Sequence, residues 1–131
     1  MRLQQLVTVS SQVAATRKRL EKRHLLAALL REAGPDRAAL VVSYLTGRLP
    51  QGRIGLGPAL LGALGVGSAA CPSLTIDDVD RWVDTFAAVS GKGSKSRRRE
   101  LLEQLWQRAT ADEAAFLHRL LLGELRQGAL E

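Results

Sequence analysis

The sequence predicts an all-α fold, a compact multi-helix domain with an internal pseudo-two-fold repeat. Apolar residues recur at helical spacing along almost all of the 131 residues. Strand-like alternation bounded by turn residues is absent from the sequence. Two segments, about 17–55 and 93–131, match each other without gaps at an offset of 76 residues. With 46 % apolar residues, a chain of this length can bury the core of one domain.

Four helices are predicted in the first half of the chain. Leucines and valines at helical spacing indicate helices over about 2–15 and 17–33. The next helix opens at Pro35, which suits the first helical position, and it ends at Gly47. A short helix over about 58–64 follows an intervening loop.

Three helices are predicted in the second half, and two of them have clear start signals. Thr75 precedes a run of acidic residues and serves as the cap of one helix. The sequence GKGSK ends that helix, and the next one spans about 96–109. Thr110 and Glu113 form a capping-box pattern that opens the last helix, which ends at Gly123.

The repeat predicts two superposable halves that share one core. Any two helices rich in leucine and alanine align somewhere, so the argument rests on the ungapped match of helix, turn, helix and G-x-L-x-Q-G. The first copy continues past Gly55, whereas the second stops at Glu131, and we therefore expect the chain to be part of a longer protein. The predicted contacts between the halves come from Leu25, Leu29, Leu101, Leu105, Trp106 and Phe116.

The composition argues against several classes of protein. One cysteine, Cys71, allows no internal disulfide, and two histidines without a cysteine cluster make no structural zinc site. No signal peptide or membrane-spanning run is visible, so a soluble, cytoplasmic protein is expected. No nucleophile, base and orienting group fall into a recognisable pattern, so we expect no catalytic residue, metal or cofactor in this stretch.

Basic side chains are concentrated in two clusters. The chain has 19 basic and 13 acidic side chains, and 15 of the basic ones are arginine. Arginine suits phosphate, although a GC-rich genome produces the same bias. Both clusters fall at predicted helix starts, where cations oppose the helix dipole and free amides bind anions. A phosphate backbone is one explanation, and a solvated surface neutralised by nearby glutamates is the other. The clusters are Arg17, Lys18 and Arg19, and Lys95, Arg97, Arg98 and Arg99.

Glycines and basic residues occur together in two loops. The first glycine loop, RLPQGRIGLG, covers residues 48–57, and the second, GELRQG, covers residues 123–128. Glycine lets a backbone approach a phosphate closely, and arginine adds bidentate contacts. Neither loop, nor the GKGSK segment, has P-loop spacing, and each taken singly is more typical of a plain helix stop than of a phosphate cradle.

Aromatic and acidic side chains have simpler explanations. Trp82, Trp106, Phe86 and Phe116 fall on apolar helix faces and are expected in the core. Among the acidic residues after Thr75, the first two suit a helix start, and the later pair is expected to be solvated. The acidic residues are Asp77, Asp78, Asp80 and Asp84.

Three features carry a resemblance to a known family: the segment YLTGRLPQGRIGLG, the block GKGSKSRRRELLEQLWQRATADEAAFLHRLLLGELRQGALE and the spacing between them. Through these features the chain resembles the N-terminal DNA-binding domain of ATP-dependent DNA ligases, in a bacterial, actinobacterial form. The resemblance covers essentially the whole chain. It implies an all-helical domain whose loops and helix starts contact the sugar-phosphate backbone of nicked duplex DNA across the minor groove. The matching positions are Gly52, Arg53, Gly55, Lys92, Gly93, Ser94, Lys95, Ser96, Arg97, Arg98, Arg126 and Gly128.

One departure from the family concerns catalysis. The K-x-D-G motif, whose lysine takes AMP from ATP, is missing from these 131 residues. The resemblance therefore implies a monomeric DNA-binding module without a cofactor of its own. Its catalytic partner domains, which use ATP and Mg²⁺, would follow Glu131. The alternative function is a helical protein-interaction module with a basic surface.

Overall fold

The computed structural model describes residues 1–124, and this part of the chain is helical with no β-strand. The prediction of an all-α fold is confirmed. None of its helices is long and apolar enough to cross a membrane. The seven helices of this part are α1 (Leu3–Ala15), α2 (Arg19–Ala33), α3 (Pro35–Leu45), α4 (Pro58–Gly62), α5 (Ile76–Ala87), α6 (Ser94–Arg108) and α7 (Ala111–Leu122).

The predicted helix starts at two threonines are confirmed. The Thr75 hydroxyl accepts a hydrogen bond from the Asp78 amide at 3.0 Å, and the Asp78 carboxylate accepts one from the Thr75 amide. Thr110 and Glu113 make the same reciprocal pair at the start of α7. Each pair satisfies amides that a helix start leaves without partners.

α1 is the central packing element. It contacts α2, α3 and α7, while α5 packs on α6. A short antiparallel bridge between Arg2 and Thr75 joins the start of α1 to the start of α5. The Leu3 amide donates to the Leu74 carbonyl oxygen at 2.9 Å. The largest fully buried side chains come from all seven helices and from Leu74, so the described chain has one shared core.

The helices of the two repeat copies correspond in sequence position. At the offset of 76 residues, α2 falls on α6 and α3 falls on α7, with boundaries that differ by one residue. Gly47 and Gly123, a matching pair, both have positive φ, at 77° and 74°. Of the six predicted core contacts, five are buried, and Leu25 lies half-buried at the edge of the core. The two-fold relation between the halves stays a prediction.

The segment before α5 is packed tightly on the end of α6. The Trp106 indole donates to the Gly65 carbonyl oxygen at 3.2 Å, and the Ala69 amide donates to the Ala109 carbonyl oxygen at 3.0 Å. A Cβ atom at Gly67 would lie 2.5 Å from the Ala109 carbonyl oxygen. This close approach requires glycine at position 67.

Candidate nucleic-acid interface

The first glycine loop is anchored to the rest of the domain on one side by Gln51. Its side-chain amide donates to Asp80 Oδ1 at 2.8 Å and to Asp84 Oδ1 at 2.7 Å. Ile54 is 6 % exposed and fixes the next part of the loop in the core. Asp84 is exposed, as expected, whereas Asp80 is half-buried, and both carboxylates also have a role that was not expected because they hold this loop on α5.

Around these anchors the loop presents an open, basic backbone. Gly52 and Gly55 are exposed and have φ values of 76° and 72°, in the left-handed region that favours glycine. Arg53 lies exposed between them and makes no ion pair or hydrogen bond with the described residues. The sequence-predicted residues of this loop are therefore accessible to a ligand.

The start of α6 lacks a cap. Residues 91–96, which we call the α6 entry, contain Gly91 and Gly93 with φ of 82° and 80°. No side chain caps the helix, and its first turn contains no acidic residue. Within the described chain, the amides of Lys95 and Ser96 donate to no acceptor. Unlike the starts of α5 and α7, this one leaves donors and a positive dipole end free for an anion.

Two lysines lie at the α6 entry. Lys92 and Lys95 are exposed and form no ion pair with any described residue. Lys95 is the second residue of α6, where its charge opposes the helix dipole. The Ser94 and Ser96 hydroxyls flank it in the same turn. An approaching phosphate would therefore meet two lysines, hydroxyl groups and free amides.

The three arginines that follow do not share this position. The helix begins at Ser94, two residues before its predicted start, so the arginines lie in its second turn. The sequence missed this start because Gly93 in left-handed conformation replaces an ordinary cap. Arg97 lies 3.5 Å from Glu100, and Arg99 donates to Glu103 at 3.1 Å. Both arginines are exposed and already have partners within α6.

Arg98 is directed into the fold. Its Nη2 donates to the Val89 carbonyl oxygen at 3.3 Å, and its guanidinium carbon lies 5.5 Å from the centre of the Phe86 ring. A Cβ atom at Gly55 would lie 3.8 Å from Arg98 Nη1. Arg98 therefore lies between the end of α5 and the first glycine loop. The sequence gives no sign of this environment, which depends on tertiary packing.

The basic residues before α2 have a different setting from the one expected. α2 begins at Arg19, so Arg17 and Lys18 precede the helix rather than occupy its first turn. The Thr16 hydroxyl accepts from the Lys18 amide at 3.3 Å and donates to Glu21 at 3.0 Å. The start of α2 thus has an acidic residue in its first turn, which the α6 entry lacks.

Three of the four aromatic residues predicted in the core are buried there, and Trp82 is half-buried against it. Trp82 and Phe86 stack with ring centres 5.0 Å apart, and the Trp82 indole donates to the Leu101 carbonyl oxygen at 2.9 Å. Trp106 and Phe116 are 4 % and 1 % exposed. These side chains stabilise the fold and are not available to stack on bases.

The acidic start of α5 is a structural junction. Arg37 makes a 2.7 Å ion pair with Asp77, and its hydrogen bond lowers the pKa of that carboxyl group. A hydrogen bond from the Thr75 backbone lowers the pKa of Asp78, which also pairs with Arg81 and Arg108. In residues 1–124, no three acidic, histidine or cysteine side chains could together hold a metal ion.

The second glycine loop cannot be compared with the first. Its expected DNA-contacting residues, Arg126 and Gly128, lie outside the described residues. The predicted site is therefore placed in two parts, the first glycine loop and the α6 entry. Gln51, which the sequence analysis did not assign, had one available signal, its identity with Gln127 in the repeat.

The fold and the site together define an all-helical domain with a basic, glycine-containing surface. Along its whole length the chain is similar to proteins described as probable DNA ligases. Identity is 53 % with the protein from Streptomyces griseus and 47 % with that from Rhodococcus jostii, in both cases over 131 residues and the entire chain. With the protein from Mycobacterium marinum it is 48 % over 99 % of the chain.

The family model described as DNA ligase N terminus matches residues 64–131. The chain therefore belongs to the DNA ligase N-terminus family, and the resemblance found in the sequence is confirmed. The chain spans about a quarter of the length of these relatives, 25 % of the Streptomyces griseus protein and 26 % of the other two.

Proposed function

We propose that this chain binds duplex DNA without sequence specificity, as the N-terminal domain of an ATP-dependent DNA ligase. In this role it positions a nick for sealing by catalytic domains in the rest of the ligase. The observation that carries the proposal is the proximity of the first glycine loop to α6, where a Cβ built on Gly55 would lie 3.8 Å from Arg98 Nη1, in a chain of this family. Both segments are basic and expose backbone that can approach a phosphate.

The chemistry of the two segments favours backbone recognition. Arg53, Lys92 and Lys95 are exposed cations without a partner among residues 1–124, and the free amides of Lys95 and Ser96 are donors suited to phosphate oxygens. Such contacts fix orientation on a duplex and carry no sequence information. Tyr44, Phe86, Trp106 and Phe116 are buried in the core, and Trp82 is half-buried with its indole bonded to the Leu101 carbonyl oxygen.

Catalysis belongs to the part of the ligase beyond this chain. The family seals a nick by transferring AMP from ATP to a lysine, then to the 5′-phosphate, before the 3′-hydroxyl attacks. The lysine lies in a K-x-D-G motif, which residues 1–131 lack. We propose that ATP and Mg²⁺ act there, while this monomeric domain supplies affinity and placement.

The alternative, a protein-interaction module, has less support. A groove for a partner helix requires a continuous apolar surface. In the described part of the chain, the exposed large hydrophobic residues are Leu20, Val42 and Val66, which lie on α2, α3 and a loop. Isolated apolar residues of this kind are normal on protein surfaces.

A salt titration tests the proposal. The 131-residue chain is titrated against a fluorescent nicked duplex at several KCl concentrations, together with the triple variant Arg53→Gln, Lys92→Gln and Lys95→Gln. Each lost phosphate contact should reduce the slope of log K against log salt by about 0.9. Arg31→Gln is the matched control, because Arg31 is an exposed cation in the last turn of α2 that pairs with none of residues 1–124.

We expect the triple variant to bind weakly with a flattened salt slope, and the Arg31 control to bind like the parent. Intact duplexes of different sequence should bind the parent with similar affinity. Equal binding and equal salt slopes for the parent and the triple variant would refute the proposed interface.

A further inference from the structure

Two acidic residues contact the first glycine loop, at a place where negative charge opposes the binding of DNA. Asp80 and Asp84 lie four residues apart on α5, and their carboxylates accept hydrogen bonds from Gln51 of the loop. We propose that these two aspartates are positioning residues, which raise the affinity of the domain for DNA by fixing the loop that presents Arg53 to a phosphate. The inference rests on the proposed DNA-binding function and deepens it.

A single side-chain nitrogen joins the loop to the helix. Gln51 Nε2 lies 2.8 Å from Asp80 Oδ1, 2.7 Å from Asp84 Oδ1 and 3.4 Å from the Asp80 carbonyl oxygen. The amide nitrogen has two hydrogens, so it can donate to both carboxylates at once. Hydrogen bonds to ionised acceptors are about twice as strong as those between neutral groups. The two negative charges therefore strengthen the attachment of the loop to α5.

The position of Arg53 depends on this attachment. Among the described residues, Gln51 is the one member of residues 49–57 whose side chain makes a hydrogen bond or an ion pair. On the other side of Arg53, Ile54 is buried in the core. Arg53 is thus held from both sides, by polar bonds at Gln51 and by apolar burial at Ile54. Without the bonds to α5, it is held from one side only.

Charge alone predicts the opposite effect of these acids. The chain has a net charge of +6, and an aspartate close to a bound polyanion reduces the electrostatic attraction. If Asp80 and Asp84 were only surface acids, their removal would strengthen DNA binding. If they hold the loop, their removal weakens binding, because Arg53 loses its fixed position and with it a phosphate contact. The sign of the effect therefore separates positioning from simple electrostatics.

The test compares variants of the 131-residue chain in titrations with a nicked duplex at several KCl concentrations. We expect the double variant Asp80→Ala and Asp84→Ala to bind about fivefold more weakly than the parent, within the range of coupling between residues in contact. Its slope of log K against log salt should flatten by up to about 0.9, the value for one phosphate contact. The matched control is Asp36→Ala with Asp112→Ala, which removes the same charge from two exposed acids that make no ion pair or hydrogen bond with residues 1–124. The control should bind at least as tightly as the parent.

Further variants show whether the aspartates act through Gln51. Gln51→Ala breaks the same bonds without a change of charge, so it should weaken binding by a similar factor. Combined with alanine at both aspartates, it should add nothing, because the contact is already lost. Asp84→Asn keeps an oxygen that can accept from Gln51 and should therefore bind more tightly than Asp84→Ala.

Two results in these titrations would overturn the proposal. One is a double aspartate variant that binds as tightly as the parent or more tightly. The other is a weakened double variant whose effect simply adds to that of Gln51→Ala. All affinities are measured at a temperature where circular dichroism shows every variant folded, so that unfolding does not contribute to the loss.

Amide hydrogen exchange of the free chain supplies a readout that does not depend on DNA. The Gly52 amide donates to the Leu49 carbonyl oxygen at 2.9 Å, so its exchange reports on the order of the loop. We expect faster exchange at Gly52 in Gln51→Ala and in the double aspartate variant, with no change at Leu29 in the core. Unaltered exchange at Gly52 would contradict the positioning role. If the parent chain fails to bind DNA, the proposed function fails, while this measurement still decides whether the aspartates hold the loop.

Discussion

Three adjacent arginines on α6 are predicted to differ in their effect on stability. Arg97 and Arg99 have exposed side chains, with relative accessibilities of 49 % and 66 %, and each pairs with a glutamate of the same helix. Exposed pairs of this type contribute about 0.3–0.5 kcal/mol. Their substitution by glutamine should therefore change the free energy of unfolding by less than about 0.5 kcal/mol.

Arg98→Gln should cost considerably more. It removes the contact with the Phe86 ring, which is worth about 0.5–1 kcal/mol, and a charged hydrogen bond to the Val89 carbonyl, worth about 1.5 kcal/mol or more. Removal of the buried, unpartnered Nε offsets part of this loss. A net cost of about 1–2 kcal/mol follows, which corresponds to a fall in Tm of roughly 4–8 °C for a domain of this size.

Urea unfolding followed by circular dichroism measures the three single variants under identical conditions. We expect Arg97→Gln and Arg99→Gln to unfold within error of the parent, and Arg98→Gln to have a lower midpoint with the same m value. Three equal midpoints would refute the assignment of Arg98 to the interior, because a uniform solvated cluster predicts that result.

Three further predictions concern the junctions of the fold and its chemistry. Gly67→Ala should lower the free energy of unfolding by about 2–3 kcal/mol, because the new Cβ would meet backbone oxygens. Gly62→Ala in α4 has open space for its Cβ and should raise the free energy of unfolding by up to about 1 kcal/mol. Urea unfolding of both variants checks that the two effects have opposite signs. The pKa of Asp78 is lower in the folded state than in the unfolded state, so the ionised carboxylate stabilises the fold above the unfolded pKa of about 4. This stabilisation is lost as the pH falls through the lower pKa of the folded state. Unfolding midpoints from about pH 5 to 2 should therefore depend less on pH in Asp78→Asn. Radiolabelled ATP with Mg²⁺ should give no covalent AMP band on the 131-residue chain, and a labelled band would contradict the assignment of adenylation to other domains.

The helices were predictable because their signals are local. Thr75 and Thr110 cap the helices that they precede, and Pro35 opens α3, so each boundary depends on residues within one turn. The start of α6 was misplaced by two residues because Gly93 signals a turn as readily as a helix start. Local chemistry thus determines most of this fold, and errors occur where glycine replaces a polar cap.

The site was only partly predictable, because its assembly depends on long-range contacts. The glycines, Arg53 and Lys95 could be named from composition and resemblance, since exposed basic loops need no partner within the fold. The roles of Gln51 and Arg98 depend on side chains that α5 brings to them. The helical spacing of Leu101, Leu102 and Leu105 places Arg98 on the buried face of α6, but its contacts with Phe86 and Val89 depend on tertiary packing.

The two repeat copies keep the same helices but differ in electrostatics at the helix starts. In the first copy, Glu21 lies in the first turn of α2 and accepts from Thr16, so an internal acid partly neutralises the dipole end. In the second copy, the corresponding turn contains Lys95 and no acid, while neither helix start has a side-chain cap. A shared backbone therefore does not make the two starts equivalent. Because Lys95 at the α6 entry has no acidic partner among residues 1–124, we expect an external anion to stabilise this start more than it stabilises the start of α2.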